Sequence, residues 1–122
     1  MKTSAFNVAT LKSAVIEIAN FEKDYPDSEY NEEMAFLKVK AQYDLAQSTI
    51  ESKQKERFDD AIKYYQVLVD KYPQSNFLKK AEKIYDVSIK ESERIAKLEA
   101  DYKALREKEK SNTAKVGAAD KQ

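Results

Sequence analysis

The 122-residue chain contains no Cys, no His and no Trp, a single Gly and two Pro. Each absence removes a class of chemistry. Without thiolate or imidazole, the usual zinc and iron–sulfur sites, the Cys and Ser–His nucleophile pairs and the commonest general base all drop out. Loops that cradle phosphate need several glycines so that backbone can approach the ligand, and Gly117 stands alone near the end of the chain. The longest apolar run is Met34 to Leu37, and no apolar segment flanked by Lys or Arg opens the chain, so neither a membrane span nor a secretory signal is encoded in it. No catalytic residue, metal or cofactor is expected, and an enzyme is not.

What remains is a charge-rich helix former. Apolar residues make up 42% and charged ones 36%, with 22 acidic and 22 basic side chains. Ala, Leu, Lys, Glu and Gln dominate and breakers are scarce, which predicts an all-α fold. Residues 1 to 60 carry 8 Lys/Arg against 12 Asp/Glu, and residues 61 to 122 carry 14 against 10. The basic excess of the second half is interleaved with Glu, so it does not form a nucleic-acid stripe.

Two short stretches punctuate the chain, Tyr25-Pro26-Asp27-Ser28 and Tyr72-Pro73-Gln74-Ser75. In each, a proline stops one helix and a residue two positions later offers an oxygen to the backbone N–H groups of the next. A first helix over about 4–25 follows from Leu11, Ala14, Val15, Ile18 and Phe21 at three-to-four spacing. The second carries two stripes, Tyr30, Met34, Leu37, Ala41 and Leu45 beside Phe36, Val39 and Tyr43, which predicts neighbours on two sides. The polar stretch Glu51 to Glu56 reads as a connector, after which Phe58, Ala61, Ile62, Tyr65, Leu68 and Val69 define a third helix up to Tyr72. A fourth buries Phe77, Ala81, Ile84, Tyr85 and Ser88, and its pattern runs on through Ile95, Leu98, Tyr102 and Leu105. The expected organisation is a helical repeat domain over 1–92, an extended helix over 93–110 and a disordered tail over 111–122.

Pro73 lies 47 residues after Pro26, and at that offset Ala14 meets Ala61, Tyr25 meets Tyr72, Ser28 meets Ser75 and seven further apolar positions agree. A repeated helix pair is the signature of a helical solenoid. Its grammar is similar to the 34-residue tetratricopeptide repeat, with an Ala, a large apolar or aromatic residue four on and a Pro twelve on. Ala61, Tyr65 and Pro73 have that spacing, as do Ala14, Ile18 and Pro26, while Phe36, Val39 and Tyr43 follow the pattern of the other helix. Lys40 stands where that pattern usually has Gly. The surplus 13 residues are expected in a longer second helix and the polar connector.

The run from Tyr25 to Ser92, with Ser52, Lys53, Glu56 and Arg57 in the connector and Ala81-Glu82-Lys83-Ile84-Tyr85 in the last helix, resembles the C-terminal tetratricopeptide repeats of the BamD family of outer-membrane assembly lipoproteins. The resemblance implies an α-solenoid fragment of four helices with a long C-terminal helix. It further implies a non-catalytic scaffold that binds the periplasmic domains of the barrel-forming subunit BamA at the periplasmic face of the outer membrane. A whole family member should carry a signal peptide and a lipidated Cys, so the chain is expected to be a soluble C-terminal fragment whose membrane association depends on an anchor it lacks. The alternative is a generic tetratricopeptide adaptor that binds an extended peptide or protein partner.

Four features are weighed as functional candidates. Tyr25, Tyr30, Tyr43, Tyr65, Tyr72 and Tyr85 fall on the helical period and are expected to fill helix interfaces with their hydroxyls at the rim. The acidic pairs Glu32-Glu33 and Asp59-Asp60 point about 100° apart on a helix and are expected to complement the dipole in first helical turns. Lys79, Lys80 and Lys83, with Lys53, Lys55 and Arg57, form a cationic cluster that is either a solvated face or a patch for an acidic partner. Ile95, Leu98, Tyr102 and Leu105 have coiled-coil spacing and form either a charge-paired lone extension or a docking stripe for another subunit or a second copy. Self-association of the chain is possible on the same grounds, since one and a half helix pairs fall short of the three or so repeats that stabilise a solenoid.

Overall fold

The computed structural model describes residues 5–120, and the side chains of 8–50 and 52–112 within them. Four helices follow one another: α1 (Ala5–Asp24), α2 (Asn31–Ser48), α3 (Glu51–Lys71) and α4 (Leu78–Asp120). No strand occurs among the described residues. The fold is all-α with a long C-terminal helix, as the composition implies. Contacts divide the chain into two units between Ser92 and Glu93.

Within the first unit, α2 packs on both α1 and α3. Its two stripes explain this: Ala35, Phe36, Val39, Gln42, Leu45 and Ala46 are all buried along it. The main core joins Ala35, Phe36 and Val39 of α2 to Leu68 of α3 and Ala81 of α4. Phe36 stacks on Phe77 with ring centroids 5.0 Å apart, and Tyr65 of α3 stacks on Tyr85 of α4 at 4.4 Å. Ala61 and Ala81 are fully enclosed, Ala81 within the main core.

The two punctuating turns are one structure built twice. Ser28 Oγ accepts the Tyr30 N–H at 3.1 Å, and Ser75 Oγ accepts the Phe77 N–H at the same distance. Ser28 N–H donates to the Tyr25 carbonyl at 3.1 Å and Ser75 N–H to the Tyr72 carbonyl at 3.0 Å. Asn31 and Leu78 N–H then donate to the Ser28 and Ser75 carbonyls, and Met34 and Ala81 N–H to the carbonyls of Tyr30 and Phe77. Each of these backbone and serine bonds recurs at the 47-residue offset, and the first turn adds two of its own, from Asn31 Nδ2 to the Tyr25 carbonyl at 2.8 Å and to the Pro26 carbonyl at 3.0 Å, where the second has Leu78. The prolines are tolerated because the helix ahead of each has already ended, so their missing N–H breaks no helical bond.

Three sequence expectations change. Glu51 to Glu56 is not a loop: it forms the first turns of α3, and the α2–α3 link is only Thr49 and Ile50. Lys, Gln and Glu are good helix formers, and the apolar period lapses there because these turns carry little buried surface. That link needs no Gly, because side chains close the exposed end of α2: Ser48 Oγ donates to the Asp44 carbonyl, Thr49 Oγ1 to that of Leu45 and Gln54 Nε2 to that of Ala46. Tyr25 and Tyr30 do not fill an interface; they are 60% and 57% exposed. Finally, α4 is helical through Asp120, where the sequence pattern led to an expectation of disorder from 111 onward. Ala114, Lys115, Ala118 and Ala119 are strong helix formers, and extending an existing helix costs no new nucleus. Residues 121 and 122 lie outside the described residues.

Candidate functional site

The repeat-defining positions lie at several depths. Ala61 is buried, Phe36 and Val39 lie in the core, and Tyr65 packs beside it. Tyr43 is half-buried against the Phe58 ring, centroids 6.0 Å apart, and its hydroxyl accepts Gln47 Nε2 at 2.8 Å. Ala14 is half-buried, and Pro26 and Pro73 are exposed at their turns.

Polar side chains cross-brace the helices. Lys38 of α2 donates to Glu22 of α1 at 2.7 Å and lies 4.9 Å from the centroid of the Tyr64 ring of α3, so one ammonium ties three helices together. Tyr64 has its hydroxyl pKa raised by burial, with Asp60 and Glu22 adding to the effect. Asp59 accepts Lys55 at 2.8 Å and the Ser92 hydroxyl at 2.5 Å, which joins α3 to α4. Burial alone would raise the Asp59 pKa, but these two hydrogen bonds outweigh it and hold the carboxyl below the usual range. Its neighbour Asp60 goes the other way: burial pushes it up, Lys63 opposes, and Glu56 and Asp59 add repulsion. The Asp59-Asp60 pair therefore sits well inside α3 with two separate roles, not in a first turn. Glu32 and Glu33 are in the first turn of α2, as expected.

The cationic residues do not form one patch. Lys53 and Arg57 lie in the first two turns of α3, whereas Lys79, Lys80 and Lys83 open α4 after the turn that ends α3. From Arg57 to the end of α3 is 14 residues, about 21 Å along the helix. Arg57 is engaged locally, donating from Nη1 to Thr49 Oγ1 at 2.7 Å while its carbonyl accepts Gln42 Nε2 at 3.2 Å. Lys53 is exposed. Lys79, Lys80 and Lys83 are exposed around a shallow depression shared with Asn76 and Glu82.

The structure adds two surfaces. One is a groove between α1 and α3, with Val15, Gln42 and Leu45 as its floor and Lys12, Ile16, Arg57 and Asp60 on its sides. Its signal in the sequence is Ile16, an apolar residue off the buried stripe of α1 and 58% exposed. The other is the hollow at the first turn, between Phe21, Tyr25, Pro26 and Tyr30. The turns differ sharply in charge: Asp24, Asp27, Glu29, Glu32 and Glu33 of the first correspond to Lys71, Gln74, Asn76, Lys79 and Lys80 of the second. Along α4, Ile95 is buried whereas Leu98, Tyr102 and Leu105 are exposed, so the apolar stripe is divided.

Among the described residues no acidic cluster is arranged to hold a metal ion, and no helix is long and apolar enough to cross a membrane. No curated protein matches the chain. The family model described as outer membrane lipoprotein, YfiO, matches residues 3–116, nearly the whole chain, and the protein therefore belongs to this BamD-like family of outer membrane lipoproteins.

Proposed function

We propose that the chain is a non-catalytic scaffold, the C-terminal repeat region of a BamD-like subunit that binds the periplasmic domains of a BamA-like barrel subunit during outer-membrane protein assembly. The observation that carries this reading is the family match over residues 3–116 on a chain whose two repeat turns are built with the same hydrogen bonds. Cross-bracing by Lys38 and Asp59 favours a rigid platform, which lowers the ordering cost of binding. The exposed lysines Lys79 and Lys80, with Lys53 farther along α3, are the contacts we assign to an acidic partner surface, since such charges act on association rate and orientation. Arg57 contributes indirectly, by fixing the α2–α3 corner. The setting is the periplasmic face of the outer membrane, with attachment through lipid and not through a span.

A second reading, an adaptor for an extended peptide, is favoured by the groove between α1 and α3, whose floor of Val15 and Leu45 beside the polar Gln42 and whose mixed charged walls suit a short amphipathic segment. Pull-down from a cell-envelope extract separates the two: recovery of an outer-membrane barrel-assembly subunit supports the scaffold, and its loss in Lys79→Glu/Lys80→Glu, with the melting temperature unchanged, supports the contacts. Recovery of free peptides or cytosolic chaperones in its place supports the adaptor and removes the first reading.

A further inference from the structure

Every described side chain of α4 from Glu99 to Asn112 is exposed, and Leu98 is 47%, Tyr102 68% and Leu105 56% exposed. A helix in water holds together mainly by packing one face, and here the apolar face is present but uncovered. Leu98, Tyr102 and Leu105 fall at d, a and d of a heptad. That register puts Glu99 and Arg106 at e and Asp101 at g, all exposed.

From this pattern we propose that two copies of the chain pair through this face of α4, parallel and in register. Parallel pairing stacks Leu98 on Leu98, Tyr102 on Tyr102 and Leu105 on Leu105, so all three apolar layers are covered. It also brings each g residue to the e residue five positions on in the other helix, which sets Asp101 against Arg106 of the second copy, twice by symmetry. The antiparallel registers fit worse. Pairing centred between Leu98 and Tyr102 opposes Glu99 to Glu99 and Asp101 to Asp101. Pairing centred between Tyr102 and Leu105 faces Leu98 with Glu109. The second antiparallel register also joins opposite charges, Glu99 to Arg106 and Asp101 to Lys108, so it is the apolar register that selects the parallel orientation, with a second copy as the partner. The seam is short, so the dimer is weak and concentration-dependent. This association is independent of the barrel-subunit contacts assigned above, which lie in the first unit.

Sedimentation of the full chain over a rising concentration series tests it. The wild type shifts from monomer to dimer. Asp101→Arg and Arg106→Asp each keep the helical circular dichroism but weaken dimerisation by about tenfold, because both symmetric pairs turn from attraction to repulsion. An equimolar mixture of the two variants recovers the dimer, since both pairs in the mixed dimer again join opposite charges. Recovery together with the loss in Arg106→Asp is specific to parallel pairing: in the first antiparallel register position 101 faces position 101 and Arg106→Asp leaves that pair unchanged, and in the second position 101 meets Lys108 and position 106 meets Glu99 whichever variant supplies the other helix. A wild type that stays monomeric throughout, variants that dimerise like the wild type, or a mixture that does not recover would each overturn the proposal.

Discussion

Replacing Phe77 and Tyr30 separately by Ala turns the repeat into its own control. The two residues hold the same place in the same turn, and each donates its backbone N–H to a serine hydroxyl at 3.1 Å. Alanine keeps that bond, and the Asn31 amide that further holds the first turn is untouched by either change. The variants therefore differ in the surroundings of the lost ring. Phe77 packs at the edge of the core and stacks on Phe36, whereas Tyr30 is 57% exposed. Burying an aromatic ring and then losing it costs about 3 to 5 kcal/mol, stacking included, and the partial burial of Phe77 places it at the lower end, about 3 kcal/mol. An exposed side chain away from any network costs about 0.5 kcal/mol or less. Urea unfolding followed by helical circular dichroism separates these values: with a slope of about 1 to 1.5 kcal/mol per molar for a unit of this size, Phe77→Ala lowers the midpoint by about 2 to 3 M and Tyr30→Ala by under about 0.5 M. Thermal midpoints follow, falling by about 10 to 20 °C for Phe77→Ala. Equal losses in the two variants would refute the reasoning, since they would mean that the Tyr30 ring is covered in solution.

Two further outcomes follow from the polar braces. Because the folded pKa of Asp59 is lowered, its stabilisation is present above the unfolded aspartate pKa and is lost as pH falls through the folded one; Asp59→Asn should lower the melting temperature at neutral pH and narrow its gap to the wild type in acid. Asp60 has the opposite sign, its raised pKa favouring the protonated form on folding, so Asp60→Asn should raise the melting temperature at neutral pH, with the gain vanishing below the aspartate range. A pH series of thermal melts checks both. Replacing Arg57 by Ala removes its bond to Thr49 and part of the α2–α3 corner, and should cost about 1 to 2 kcal/mol in the same urea assay; a Thr49→Val/Arg57→Ala double variant that is fully additive would show that the bond contributes nothing.

The amino-acid sequence determined the elements whose signals are local. The absence of His, Cys and a glycine-rich loop, the helix-forming composition, and the Tyr-Pro-x-Ser turns at a 47-residue spacing each act over a few residues, and the turns carry their own hydrogen bonds wherever they occur. Helix periodicity likewise marked Phe36, Val39, Ala61 and Leu68 as inward, because a stripe on a helix needs a covering surface whatever that surface is. Tertiary structure decided what periodicity does not encode, namely which neighbour each stripe meets. Tyr30 and Phe77 have the same local code, yet only Phe77 has a Phe36 to lie on. Ile95 and Leu98 belong to one heptad seam, yet one is buried and the other is not. Lys53 and Lys79 read as members of one cluster, and the length of α3 holds them apart. The polar start of α3 looked like a loop because polarity reports exposure and not backbone conformation. Burial and proximity depend on contacts between residues far apart in the chain, and that is the level at which the groove, the charged turns and the open face of α4 come into being.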